Sequence, residues 1–442
     1  MSLGKKLGIR SAEDAIYALA TCIVAIYVFL ILGVTIFDVL GKHIAYSSKI
    51  VVKALNAQFP WLLLLCIVVM YASVFIWIFM GMASFFYKKK PDHITLYNAK
   101  LVSVLIPAHN EEAVVKNILQ DILGQSYQNF EIIVIAHNCS DNTVETANSV
   151  CDSRIKVLDY HSAESGKALA LNYGLQFVHG DVIAQFDTDN RIKDPLLFNR
   201  AMFYFQDNSI DAIQGALSTS NSKESLLTFL QEVEYDVFSC ISWQGRDALK
   251  LPCFLAGTGI FITTHTIRQV GGWANSLVED FELFTRLTLK GKKIIYADNV
   301  VVYDEKPATW SAIMKQRSRW VKGHLGVTWK NLDHFGNWLD YLYRLSPLSV
   351  FAWWVSNFLY IYYFLTGQIS TVNINGWFWI SWSTLFFMFM VVTTWKKRGF
   401  KRVFALPIYW IFGFHWLFVT FYSLGVRSWN DTKTAHFGRT AS

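Results

Sequence analysis

Four long apolar runs, two on each side of a stretch of soluble composition, constrain this chain more than any other feature. Ala15 to Leu40, Trp61 to Tyr87, Leu348 to Leu365 and Trp377 to Thr394 are free of charge or nearly so. A helix needs about 20 apolar residues to cross a hydrocarbon core of about 30 Å, so each run has the length of a membrane span. Hydrophobic residues make up 53% of the 442 and charged ones 17%, too apolar a balance for two soluble domains. The pattern predicts a multi-pass membrane protein carrying one soluble domain.

A secretory signal is the competing reading of the first run, but its apolar part exceeds the roughly 7–15 residues of such signals and no small-residue cleavage site closes it. Lys5, Lys6 and Arg10 precede that run and Lys88-Lys89-Lys90 follow the second, which puts both ends in the cytoplasm. Lys42, Lys49 and Lys53 between the runs oppose this. A fifth apolar segment, Val403 to Val426, is interrupted by Pro407, Gly413 and His415 and suits an interfacial or broken helix better than a span. A fifth span would put the tail, residues 427–442, outside, whereas an interfacial or re-entrant helix, the favoured reading, returns it to the cytoplasm. The cysteines, at positions 22, 66, 139, 151, 240 and 253, form no Cys-x-x-Cys pair, so neither disulfide nor zinc is implied. Juxtamembrane lysines and arginines facing anionic lipid explain most of the net charge of +7, and nucleic acid is not needed as a partner.

Between about Ala99 and Ala297, short β-branched runs alternate with amphipathic helical patterns, which predicts an α/β domain with ligands at strand C-termini. Leu101 to Pro107 and Phe130 to Ala136 read as buried parallel strands. A third apolar strand, Val182 to Phe186, runs into Asp187-Thr188-Asp189-Asn190. Asp187 and Asp189 can hold a hard divalent cation such as Mg²⁺ or Mn²⁺, which typically takes one or two carboxylates together with phosphate oxygens. A strand-ending turn is the plain alternative. Farther on, Glu279-Asp280 opens an apolar-periodic helix, where an acid is favoured by the helix dipole and also suits a general base. Gln316-Arg317-Ser318-Arg319-Trp320 then offers two guanidinium groups and an amide to a diphosphate and an indole face to a sugar ring.

Taken in order, these motifs resemble the inverting family 2 glycosyltransferases, and within them the membrane-embedded synthases of cellulose, chitin, hyaluronan and poly-N-acetylglucosamine. The resemblance covers about residues 100–325 and the flanking runs. It implies a GT-A-type α/β domain inserted between N- and C-terminal transmembrane helices. Two spans would lie in residues 1–98, the catalytic domain in 99–300, interfacial helices in 301–347, further membrane segments in 348–426, and a possible gating tail in 427–442.

Residue by residue, the resemblance places Pro107, Ala108, Asn110 and Glu111 in the first nucleotide-binding loop and Gly166 and Lys167 near the nucleotide. It gives Asp187 and Asp189 to the metal, Glu279-Asp280 to the Thr-Glu-Asp motif with Asp280 as base, and Gln316, Arg319 and Trp320 to the Gln-x-x-Arg-Trp motif. Gly257 and Thr258 would lie beside the acceptor's terminal sugar, and Lys433, Thr434 and His436 would fold over the nucleotide. His137 stands where relatives commonly carry an acid on the nucleotide base. Either Asp141 takes over, or His137 donates to a base carbonyl, or it is a plain loop histidine.

The reaction so implied is an inverting hexosyl transfer from a nucleotide sugar, with UDP the expected nucleotide. The acceptor is a growing polysaccharide exported through the membrane part, or a single membrane lipid as in glucosylceramide synthases. A noncatalytic membrane scaffold is the third reading, opposed by the intact acids. The expected setting is the cell membrane with the catalytic domain in the cytoplasm, membrane lipids as partners, and a homo-oligomer as a further option.

Overall fold

The computed structural model describes residues 76, 79–90, 99–331, 400–412 and 415–426. The runs Ala15 to Leu40, Leu348 to Leu365 and Trp377 to Thr394 lie outside these residues, as do most of Trp61 to Tyr87 and the tail with Lys433, Thr434 and His436. Among the described residues no helix is long and apolar enough to cross a membrane. The chain divides into two compact units, and the larger, Phe79–Arg344 with Ile411–Ser442, holds every strand and every site residue discussed below.

Seven strands form one mixed sheet: β1 (Val102–Ala108), β2 (Phe130–His137), β3 (Ile155–Tyr160), β4 (Val182–Gln185), β5 (Ala212–Thr219), β6 (Ile260–Thr263) and β7 (Ile294–Asp304). Their spatial order is β3-β2-β1-β4-β6-β5-β7. The first four are parallel, β6 runs antiparallel to both its neighbours, and β7 runs parallel to β5. The described helices are α1 (Val115–Leu123), α2 (Thr143–Asn148), α3 (Lys167–Leu175), α4 (Leu197–Tyr204), α5 (Leu226–Phe238), α6 (Gly245–Ala248), α7 (Thr264–Gln269), α8 (Glu279–Leu289), α9 (Trp310–Lys330), α10 (Leu406–Phe412) and α11 (His415–Ser423).

The parallel half forms as its sequence dictates. β1 and β2 are continuous apolar runs because both faces of a parallel sheet are covered, and all but Pro107 and Glu131 in them are buried. α1 buries Val115, Ile118, Leu119 and Ile122, the single stripe expected of an amphipathic helix on a core. α5 starts in a capping box, with Ser225 and Thr228 satisfying each other's backbone N–H groups, and Thr309 caps α9 by accepting from the Ala312 N–H at 3.3 Å.

The last strand corrects a boundary. β7 continues to Asp304, so a domain end at residue 300 cuts a strand, and α9 belongs to the same compact unit as the sheet. The reason is a bulge: Gly215 opposes Ala297 but Ala216 opposes Val301, which loops out Asp298, Asn299 and Val300 and restarts the ladder. The loop is used, because Asp298 accepts from the Lys90 backbone N–H at 3.4 Å while the Lys90 ammonium pairs with Asp247 at 3.1 Å. Lys90 is thus a docking point on the domain as well as part of a basic cluster.

Candidate active site

The sheet reverses polarity between β4 and β6, so the end of β4 and the start of β6 lie side by side. From β4 comes Asp187 to Asn190; from the residues before β6 come Gly257 and Thr258. The Asp187 N–H donates to Asn190 Oδ1 at 3.0 Å and to the Thr258 hydroxyl at 3.2 Å, and that hydroxyl itself donates to Asn190 Oδ1. Asn190 Nδ2 reaches Asp189 at 3.4 Å and Asp304, at the end of β7, at 3.3 Å. Thr258, expected beside the acceptor's terminal sugar, is a buried clamp on the acidic turn.

Gly257 faces the other way. Its φ of +75° suits glycine, and a Cβ placed there would lie 3.1 Å from Asp280 Oδ2 and 3.6 Å from the Lys167 ammonium. Its carbonyl accepts from Lys167 Nζ at 2.9 Å and from Gln185 Nε2 at 2.6 Å, and Gln185 is held in turn by the Trp273 indole N–H at 3.1 Å. Lys167 opens α3, contacts Asp187 directly and stands 3.7 Å from Glu279. Four sequence-distant segments thus bring Lys167, Asp187, Gly257, Glu279 and Asp280 together.

Burial raises the Asp280 carboxyl to about 7, with Glu279 adding to the rise and Lys167, the Phe281 N–H and Arg319 opposing it. Burial also raises Asp189 well above the usual carboxylate range, with the negative charges of Asp304 and Asp187 adding to the effect. Asp187 is raised by burial but restrained by Lys167. This is the donor set a hard divalent cation suits: a cation would offset the crowding of Asp187, Asp189 and Asp304 that now disfavours ionisation. Among the described residues no group of three or more His, Cys, Asp or Glu could hold a metal ion by itself.

The helix bearing residues 316–320 splits its motif. Successive residues are about 100° apart on a helix, so Gln316, Arg319 and Trp320 share a face and Arg317 points elsewhere. Arg319 donates to the Leu277 carbonyl at 2.7 Å, and Trp320 packs half-buried against the core. One turn on, Gly323 lets the helix touch the residues before the base: a Cβ there would come within 2.6 Å of Val278. His324 stacks on Phe281 with ring centres 4.1 Å apart. α9 is thereby braced against the first turn of α8.

Arg317 does not serve a diphosphate in this structure. Its side chain is 1% exposed and forks onto Glu234 of α5, with a 3.0 Å hydrogen bond from Nη1 and a shorter one from Nη2. His415 also contacts Nη1, the Trp416 indole N–H donates to Glu234 at 3.0 Å, and the guanidinium lies 4.9 Å from the Trp416 ring centre. The expectation of two diphosphate-binding arginines is corrected to one, Arg319, because the other is consumed by a buried joint among α5, α9 and α11.

The loops after β1 and β2, expected to hold the nucleotide, are zipped to each other. Asn110, in the left-handed region at φ 58°, accepts from the Ser140 N–H at 2.8 Å, and the Glu111 N–H donates to Thr143 at 2.8 Å. Asp141 accepts from the Glu112 and Thr143 N–H groups at 3.2 and 3.1 Å, so both its oxygens brace loops. Pro107 and Ala108 end β1, and Gly166 precedes α3 with an extended φ of 173°. His137 is buried, and burial lowers its pKa. The Ser162 hydroxyl donates to Glu164 O at 2.6 Å, so His137 Nε2 must donate to Ser162 Oγ at 2.8 Å. That donor is committed within the fold, which corrects the reading of His137 as a contact to a base carbonyl; its ring instead stacks on Tyr160, and Tyr160 on Tyr173.

Gln185, Asn190, Asp304 and Lys306 escaped the sequence reading. Lys306 is buried, donates to Asp304 at 2.6 Å and lies 3.3 Å from the Tyr235 ring centre. The only local signal was Asp304-Glu305-Lys306, a charged cluster following an apolar strand.

The description "Glycosyltransferase like family 2" matches residues 99–323. A probable glycosyltransferase, YdaM, of Bacillus subtilis is 28% identical over 74% of this chain and 82% of its own length. The beta-monoglucosyldiacylglycerol synthase of Trichormus variabilis is 31% identical over 50% of this chain, and the poly-beta-1,6-N-acetyl-D-glucosamine synthase of Staphylococcus aureus 26% identical over 53%. The chain spans about half the length of these two synthases, 48% and 57%. Among solved structures, the mannosyltransferase PcManGT of Pyrobaculum calidifontis, in complex with GDP-Man and Mn²⁺, superposes with a TM-score of 0.59 at 15% identity, covering 82% of this chain and 96% of that one, which shows a shared fold. With residues 99–323, about half of the chain, matched to the family, the chain belongs to the glycosyltransferase-like family 2 and is a glycosyltransferase.

Proposed function

We propose that this enzyme transfers a sugar from a nucleotide-sugar donor to the end of a growing β-linked polysaccharide, with inversion, from a catalytic unit anchored in the cell membrane and facing the cytoplasm. The observation that carries the chemistry is the convergence of Asp280, Lys167 and Asp187 around the Gly257 turn. Asp187 and Asp189 would hold a Mg²⁺ or Mn²⁺ ion, which would neutralise charge on the departing diphosphate. Asp280, with its raised pKa, is suited to take the proton of the acceptor hydroxyl as it attacks. Lys167 and Arg319 supply the positive charge that the diphosphate needs on the protein side. Trp320 offers a half-buried indole on the face shared with Arg319, where an acceptor sugar would stack.

The apolar runs support membrane anchoring and export, and the likeness to a poly-N-acetylglucosamine synthase supports the polymer. The likeness to a monoglucosyldiacylglycerol synthase favours a second reading, transfer of one sugar to a membrane lipid. Purified full-length enzyme in detergent, given radiolabelled nucleotide sugars with Mn²⁺, should yield a ladder of products on sizing gels. A single labelled product extracted into organic solvent would overturn the polymer reading in favour of the lipid one.

A further inference from the structure

Lys167 holds a position that its expected role as a nucleotide neighbour does not explain. Its ammonium contacts Asp187 Oδ1, donates to Gly257 O at 2.9 Å, and stands 3.7 Å from Glu279. Its side chain is 19% exposed. Asp187 is also one of the two carboxylates assigned to the divalent cation.

One carboxylate cannot serve an ammonium and a divalent cation equally: the cation would have to share Asp187 with a like charge a few ångströms away, in a partly buried site. We propose that Lys167 competes with the divalent cation for Asp187, and that the donor's diphosphate relieves the competition by drawing the ammonium onto its own oxygens. Metal and nucleotide then bind as a pair, each tightening the other, with Lys167 as the coupling residue. The same lysine keeps the acids compensated when no donor is bound, which discourages a lone cation from occupying the site. This rests on the metal reading of Asp187 and Asp189.

The structure points to opposite signs for the two ligands. In Lys167→Met, Mn²⁺ should bind at least about ten-fold more tightly without nucleotide, because a competitor is gone, while metal-free UDP and GDP should bind about ten-fold more weakly, because a phosphate partner is gone. The tightening of Mn²⁺ by nucleotide expected of the native chain should shrink correspondingly. Lys167→Arg keeps the charge and should keep weak nucleotide-free Mn²⁺ binding; Lys167→Gln, polar and close in size, repeats the test should the methionine variant not fold.

Titration calorimetry and electron paramagnetic resonance of free Mn²⁺, on full-length protein in detergent with UDP and GDP in parallel, read these constants without turnover. Equal or weaker Mn²⁺ binding by Lys167→Met or Lys167→Gln, in a chain whose Mn²⁺ binding with nucleotide is abolished by Asp189→Asn, overturns the competition and leaves the metal site standing. Absence of Mn²⁺ binding by the native chain even with nucleotide overturns the metal reading and the competition together.

Discussion

Replacing Arg317 by Met separates two accounts of the five residues from Gln316 to Trp320. In the structure Arg317 is a buried strut: its side chain is 1% exposed, that of Glu234 is 15% exposed, and the two are joined by a forked pair of hydrogen bonds. Removing one partner of such a pair costs about 3–5 kcal/mol, because the other charge is stranded. Glu234 keeps the Trp416 indole N–H at 3.0 Å, which puts the loss near the lower end, about 3 kcal/mol. At about 2–4 °C per kcal/mol for a unit of this size, the Tm of the full chain in detergent should fall by about 6–12 °C.

Joint replacement, Arg317→Met with Glu234→Gln, should cost less than the sum of the single changes, with a coupling of about 1–3 kcal/mol. Nucleotide affinity of the folded variant should stay within about two-fold of native, whereas Arg319→Met should weaken nucleotide and leave Tm nearly unchanged. A native Tm for Arg317→Met with nucleotide affinity down ten-fold or more would refute the strut and restore Arg317 to the diphosphate.

Two further outcomes are expected. The acceptor kcat/KM should rise about ten-fold per pH unit on the acid side and level off above about 7, because the raised Asp280 carboxyl acts as a base only once ionised; Asp280→Asn should abolish transfer at every pH with nucleotide binding intact, and transfer surviving that change would remove Asp280 from the chemistry. Gly257→Ala forces a side chain into φ +75° and 3.1 Å from Asp280 Oδ2, so it should cost about 1–2 kcal/mol of stability and depress kcat more than nucleotide affinity; unchanged turnover would mean that Gly257 does not face the reacting centre.

The sequence made the parallel half of the sheet readable because fully buried strands are continuous apolar runs: β1, β2 and β4 fall within one residue of where Leu101 to Pro107, Phe130 to Ala136 and Val182 to Phe186 place them. The acids were readable because Asp187, Asp189 and Asp280 follow directly from strand ends and helix starts. The unreadable part depends on partners far away in the chain. Thr258 looked like a loop contact until Asn190, 68 residues earlier, claimed its hydroxyl, and His137 looked available until Ser162 took its Nε2 proton. Arg317 is different: two positions on a helix are about 200° apart, so the helical angle alone parts Arg317 from Arg319. The flanking runs fall largely outside the described residues.

The reversal of strand direction between β4 and β6 has a consequence for how such an enzyme can be altered. Among the described residues, and apart from Gln316 and Arg319, the groups expected at the nucleotide and its metal come from the chain before the reversal, up to Asn190; the turn under the base, the base itself and the indole come from the chain after it. Among the described site residues the two sets are joined by Lys167 with Gly257 and Glu279, by Gln185 with Gly257 and Trp273, and by Asn190 with Thr258 and Asp304, beside the β4–β6 ladder itself. These contacts join a donor half of the site to an acceptor half. Exchanging residues 99–190 between relatives while holding those contacts fixed is the natural cut for chimeras that mix one enzyme's sugar nucleotide with another's product.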